Sequence, residues 1–529
     1  MTLRNSTFNG CVTAIEQIWD WTWTYSGLSI NNCQTGINMS SGGVSDQAVG
    51  SVTIFDSSFS NTPTGLITAY DSNSSPITAG SLILENVKLS NVQAAVQGPN
   101  GVALAGGSTT ISAWGEGHAY TPSGPTQFES AFAANARPSA LTVGGNFYTR
   151  SKPQYGGQPA SNFLSARDAG AKGDGNTDDT QALQTAIDTA ATQNKILYLD
   201  HGNYKVTDTI TVPAGAKIVG ETYSVILASG DVFSHMKLPL PVLQIGKVGN
   251  TGSVELSDFI VATQGPTAGA ILIEYNLASP AGSPSGLWDV HTRIGGFAGS
   301  NLQTAECMKT PGSPTINSKC IAAFMSMHVT TASSGLYMEN NWLWTADHDI
   351  DDPALTQIDI YTGRGMLVES SGPVWLYGHA VEHHSLYQYQ FTNAKNIFGG
   401  VLQTETAYYQ PNPAAPAPYA SSSMCDDPVF SQGASGWGLR IVNSSDILLY
   451  GVGLYSFFQD WDTTCSSPNS TTTCQQQIFS LEGALSEINV YNLNTVRAAE
   501  MVVRDGQVLA EARDNANSYS DTIARLCVP

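Results

Sequence analysis

Charge is scarce in this sequence. Asp, Glu, Lys and Arg make up 12% of its 529 residues, about half the usual share. Cations are scarcer still: 22 Lys and Arg stand against 43 Asp and Glu, for a net charge of −21. Without a basic patch the chain cannot track a phosphate backbone, which excludes nucleic acid as a partner. The same charge disfavours a polyanionic ligand such as pectate. No apolar run reaches the ~18 residues of a membrane-spanning helix, and no secretion signal opens the chain. Gly is plentiful, at 51 residues, with Ser, Thr and Asn beside it. Few charges and many small polar residues describe a β-rich extracellular protein with many turns.

The opening 118 residues repeat. Gly10-Cys11-Val12-Thr13-Ala14-Ile15 returns as Asn32-Cys33-Gln34-Thr35-Gly36-Ile37, then from Asn61 to Leu66 and from Asn91 to Val96. Each copy follows a short alternating segment, such as Val52-Thr53-Ile54-Phe55. Short strands and a corner containing Asn, at a period of about 20–30 residues, are the coils of a solenoid. Asn tolerates left-handed backbone and can hydrogen-bond to its equivalent on the next coil. Cys11 and Cys33 fall at equivalent places, which predicts a buried stacked pair.

Residues 119–160 break the period with Pro122, Pro125, Pro138, Pro153 and Pro159, the composition of a linker. Asp168 to Thr180 then leads into an apolar-periodic stretch, Gln181 to Thr192, with Asp178 or Asp179 as its N-cap. A helix here would shield the open end of a second solenoid, which occupies residues 161–480. Residues 481–529 read as a tail packed on it, with a helix over Ala498 to Ala512. The expected fold class is therefore all-β: a right-handed parallel β-helix in two bodies joined by a linker.

The capping segment resembles that of the pectate-lyase-like β-helix superfamily. More specific are Gly286-Leu287-Trp288-Asp289, Trp342-Leu343-Trp344, Val374-Trp375-Leu376-Tyr377, Glu382-His383-His384 and Gln403-Thr404-Glu405-Thr406. Together with Trp19-Asp20-Trp21-Thr22-Trp23, they resemble glycoside hydrolase family 55, the fungal exo-β-1,3-glucanases. That family has two β-helix bodies side by side, each opening with a capping segment. Here the segment occurs once, so the first body is expected to be truncated at its N-terminal side. The resemblance implies inverting hydrolysis of β-1,3-glucan by a secreted monomer without metal or other cofactor.

Glycoside hydrolysis usually takes a carboxylic acid on the leaving oxygen and a second group on water. Glu382 and Glu405 lie about one coil apart, where equivalent positions stack roughly 4.8 Å from each other. Like charges that close raise one pKa and keep an acid protonated. By the resemblance Glu405 is the general acid and Glu382 the carboxylate that orients water. Trp344, Tyr408, Tyr409, His383, Gln403 and Trp21 are the candidate sugar contacts, Trp21 serving equally as a contact between the bodies. Asp347, His348 and Asp349 read as a polar corner. Two other readings stay open: a pectin-active enzyme of the same fold, and an inactive glycan-binding remnant.

The eight Cys suit an oxidising compartment. Cys307 with Cys320 and Cys465 with Cys474 would close short loops, and Cys425 with Cys527 is the remaining long-range pairing. Sequons begin at Asn5, Asn38, Asn73, Asn443 and Asn469.

Overall fold

Asn32, Asn61 and Asn91 each take a left-handed backbone at the same corner of successive coils. Each donates through its side-chain amide to the Asn one coil back: Asn32 to Asn9 at 2.8 Å, Asn61 to Asn32 at 3.2 Å, Asn91 to Asn61 at 3.0 Å. The ladder turns the chain sharply at no steric cost and holds the coils in register. The computed structural model describes every residue except Ala281, Pro468 and Asn469. The sequon at Asn469 therefore lies outside the described residues.

In the first body Thr2–Arg4, Trp23–Ser26, Ser51–Ser60 and Ser81–Gly98 pair in parallel, in that order. Inward positions such as Ile30, Ile37, Val52, Ile54, Leu82 and Leu84 are buried as one core. Gly101–Tyr120 then turns back antiparallel on Ser81–Gly98. In the second body one long parallel sheet runs from Ile196–Leu199 through Lys217–Ala228, Glu255–Thr263 and Ser285–Ile294. It continues through Trp342–Thr345, Val374–Glu382, Lys395–Glu405, Ser445–Tyr455 and Ser486–Val496. A second sheet, from Ile210–Val212 to Ala498–Arg504, forms another wall. The fold is a right-handed parallel β-helix. The helix Thr180–Thr192 lays Leu183, Ala186, Ile187 and Ala190 over its first coil. Asp179 stands at the N-cap position, yet its carboxylate accepts from the amides of Lys172 and Gly173. Asp178 caps instead, accepting from Thr180 N at 3.0 Å.

The Pro-rich stretch is not a free tether. Thr126–Ala131 hairpins back onto Gly101–Tyr120, and the following residues run along the seam between the bodies. There Phe147 packs on Phe398 of the second body at 4.1 Å between ring centres, and Phe55 of the first packs on Tyr450 at 4.9 Å. Trp288, Tyr337, Trp375, Tyr377 and Tyr491 complete this aromatic wall. At its heart Glu85, 1% exposed, accepts from the hydroxyls of Tyr450 and Tyr491 at 2.6 and 2.8 Å. It also pairs with Arg137 of the connecting stretch at 2.6 Å. The last strand, Asp521–Val528, pairs with Ser486–Val496 of the second body and with Ala119 and Tyr120 of the first.

Three expectations are corrected. Ala498 to Ala512 is not a helix but the strands Ala498–Arg504 and Gln507–Glu511, folded about Asp505-Gly506. Both turn residues have positive φ, the hairpin signature of an Asp-Gly pair, and Val502, Val503 and Val508 favour the extended backbone. Cys425 and Cys527 are free thiols, whereas Cys307–Cys320 and Cys465–Cys474 are disulfides. Of the stacked Cys11 and Cys33 only Cys33 is fully buried, with Cys11 N donating to Cys33 Sγ at 3.3 Å.

Candidate active site

Glu382 and Glu405 end the adjacent strands Val374–Glu382 and Lys395–Glu405 and are register partners. The same register column holds Trp344 on one side and Tyr455 on the other. A period of two sends Val381, Thr404 and Leu454 into the core and leaves the two Glu on the outer face. Gly453 stands in the neighbouring row, opposite Gln403, where a Cβ would lie 2.3 Å from the Tyr455 hydroxyl.

Glu382 is 6% exposed and held at both oxygens. Trp342 Nε1 donates to one at 2.8 Å and Gln403 Nε2 to the other at 2.8 Å. Burial, and then the charge of Glu405, push its carboxyl up to about 7. The Tyr408 hydroxyl donates to Glu405. The Tyr408 ring stacks on Phe458 at 3.8 Å, which fixes that donor.

His383 leaves the strand with φ 69°, a conformation rare for a bulky side chain. The turn aims its Nδ1 at the Thr345 carbonyl, 2.9 Å away, and sets Nε2 3.6 Å from Glu405 Oε2. Asp347 lies 3.7 Å from Nδ1. Burial opposes charging this ring, but the Glu405 and Asp347 carboxylates outweigh it and lift His383 to about 9. His384 points the opposite way, into the core, where it meets Ser326 at 2.7 Å and burial lowers it to about 3.

Glu382, Glu405, Gln403, His383 and Tyr408 thus converge. Trp344 and Tyr409 do not open on the same space. Trp344 is 3% exposed and lies under Trp342, stacked at 4.9 Å. Tyr409 turns inward, its hydroxyl 2.6 Å from Ser385 Oγ and its ring against Tyr361. Adjacent residues in extended chain face opposite ways, so Tyr408 and Tyr409 could not both reach the cleft. Trp21 packs edge-on against Tyr455 at 4.7 Å and also meets Phe457, so it joins the first body to the second beside Glu405. Asp349 accepts from Gln303 and Thr304, and Asp347 from His348, so this corner is internally bonded.

Sequence reasoning missed Trp342 and Tyr455. Trp342 is 41% exposed and carries the indole that meets Glu382. The alternation Trp342-Leu343-Trp344 announced two indoles on one face, but not which would be outermost. Tyr455 carried no signal until the coil register was known.

Chemically, the site offers two carboxylates one rung apart that hold a proton near neutral pH. It adds a cationic imidazole, a phenol and an exposed indole face. That set can protonate a leaving oxygen, hold a water and stack on a sugar ring.

A family model described as "Rhamnogalacturonase A/epimerase, pectate lyase-like" matches residues 1–38 and 163–238. The chain is 49% identical to the glucan 1,3-beta-glucosidase of Cochliobolus carbonum over 532 residues, covering 99% of this chain and 67% of that protein. It is 39% identical to a probable glucan endo-1,3-beta-glucosidase of Arthroderma benhamiae, covering 99% of this chain and 70% of that one. Among solved structures it aligns with sacteLam55A from Streptomyces sp. SirexAA-E at 15% identity and a TM-score of 0.38, over 93% of this chain and 86% of that one.

Proposed function

The chain belongs to the glucan 1,3-beta-glucosidase family, glycoside hydrolase family 55, and we propose that it releases glucose from the end of β-1,3-glucan with inversion. Glu405 protonates the leaving oxygen and Glu382 holds the attacking water. The observation that carries this reading is the register pairing of Glu382 with Glu405 on an outward face, one of them almost wholly buried. Two carboxylates at one-rung spacing cannot both ionise cheaply, so the pair keeps one proton for the leaving group. Gln403 and Trp342 orient Glu382 from both sides, as a water-holding carboxylate requires. A neutral glucan suits a chain of net charge −21 better than a uronate polymer does. Two disulfides fit a secreted protein, which we propose acts as a monomer.

One observation favours the opposite division of labour. Burial lifts the Glu382 carboxyl to about 7, and His383, itself lifted to about 9, sets a cation beside Glu405. On that reading Glu382 is the acid and Glu405 activates water.

The test is hydrolysis of linear β-1,3-glucan followed by NMR of the newborn sugar. α-Glucose as first product supports exo-action with inversion; β-glucose or longer oligomers overturn it. Activity of Glu405→Gln on a substrate with a dinitrophenolate leaving group decides the roles. An acid variant keeps that activity because the leaving group needs no proton, whereas a base variant loses it.

A further inference from the structure

The long loops that follow Glu405 and Tyr455 enclose a second cavity, apart from the carboxylate pair. Its volume is ≈ 450 Å³, within the range of small-molecule sites. It opens beside Trp437–Val442 and Gln475–Gln477, strands of the other sheet. Phe430 and Trp437 form one wall, ring centres 5.3 Å apart at 60°. Gln432, Gln459, Gln475 and Gln476 supply amides from several directions.

No lining residue is ionisable, in a chain with 65 charged side chains, 22 basic and 43 acidic. A site for an anion or cation would carry a counter-charge. Amides donate and accept with equal ease, and aromatic faces take the C–H face of a ring. The ligand that matches both is a neutral, many-hydroxyl ring.

Gln475 strengthens the case. It is 6% exposed, and its Nε2 donates to the Gln477 carbonyl at 2.6 Å. Its Oε1 is buried and finds no partner among the described residues. Its Nε2 also donates to the Gly436 carbonyl at 3.3 Å, so this amide is a fixed part of the wall. The walls are also fixed before any ligand arrives. The Cys465–Cys474 disulfide closes the loop that leads to Gln475, and Gln410 Oε1 accepts from Gly436 N at 2.7 Å below the floor.

We propose that this cavity is a second glycan site, which holds a neutral hexopyranose chain without cleaving it. It has no carboxylate to serve as acid or base. Holding one stretch of a polymer there raises the local concentration of the remainder at the cleft.

The test labels the tryptophans of the Glu405→Gln protein with 5-fluorotryptophan, the Trp437 resonance being assigned by its loss in Trp437→Phe. Laminarihexaose and cellohexaose are the neutral probes, and an oligogalacturonate is the charged control. A saturable shift of the Trp437 resonance with either neutral probe, lost in the exposed double variant Gln432→Ala/Gln476→Ala, is the expected result. A resonance unmoved by both, or moved by the galacturonate alone, overturns the proposal. This readout needs no hydrolysis, so it stands or falls apart from the catalytic reading. With Glu405 intact, the double variant should release sugar from insoluble glucan severalfold more slowly, at an unchanged rate on laminaritriose. Equal rates on both substrates would overturn the tethering role.

Discussion

Glu382 and Glu405 share one register position on adjacent strands, yet their surroundings differ sharply. Glu382 is closed in by Trp342 and Gln403, while Glu405 faces Tyr408 and the imidazole of His383. If this pair performs the chemistry, Glu405→Gln should lower kcat on β-1,3-glucan by about 10²–10⁴, the usual worth of a positioned acid. Retention of the dinitrophenyl activity would mark Glu405 as the acid.

The pH profile follows from the proton the pair holds. The coupled pair gives this proton up near pH 7, so kcat/KM should fall as pH rises beyond that point. A rate that stays flat from pH 6 to about 9 would mean that this proton is not used.

Trp342→Phe keeps the ring over Trp344 but removes the N–H that meets Glu382. A lost hydrogen bond to a carboxylate is worth about 1.5–3 kcal/mol, so kcat should fall roughly 10–100-fold with KM little changed. That bond also holds the Glu382 pKa down, so the alkaline limb should move to higher pH. A purely structural role would leave the limb where it is.

Stability should decline from acid to neutral pH. Burial raises Asp20 to about 6, Asp521 to about 7 and Glu116 to about 8. The unfolded chain releases these protons from about pH 4, whereas the folded chain keeps them until pH 6–8. Rising pH therefore favours unfolding, by up to about 1.4 kcal/mol per pH unit for each such group. Thermal unfolding should show the highest Tm near pH 4–5. Glu116→Gln keeps the bond from Thr68 and should flatten the decline between pH 5 and 8. An unchanged slope would falsify the account of Glu116.

Glu85→Ala removes the acceptor shared by Tyr450, Tyr491 and Arg137. Breaking a buried pair by deleting one partner costs about 3–5 kcal/mol, and a matching drop in Tm is expected. Because Glu85 lies between the bodies, unfolding should also split into two transitions by calorimetry.

Much of this was legible in the sequence, and the reason is periodicity. The Asn at each corner, the alternating strands and the Leu183–Ala190 stripe are local patterns with one structural solution. Glu382 and Glu405 could be paired because one coil of chain returns a residue to its own column. What could not be read was most of what is set by the fit of one body against the other. Trp288, Trp375 and Tyr377 form the inter-body wall without a signal of their own, while Trp21, readable as a sugar contact or as a contact between the bodies, is the latter. The Ala498 to Ala512 stretch misled because its apolar spacing also fits a helix, and only the Asp505-Gly506 turn decided for a hairpin.

The seam between the bodies meshes rung by rung. The Thr24 hydroxyl donates to the Tyr450 carbonyl, and one coil further Asn492 donates to Thr53. Trp21 meets Tyr455 in the same manner. Solenoids ordinarily lengthen by duplicating a coil. In this molecule an added coil within the meshed stretch of either body would slip every later tooth by one and carry Trp21 off the rung beside Glu405. Insertions and deletions should then gather in loops such as 406–436 and 456–474, while the coil count along the seam changes in both bodies together or not at all.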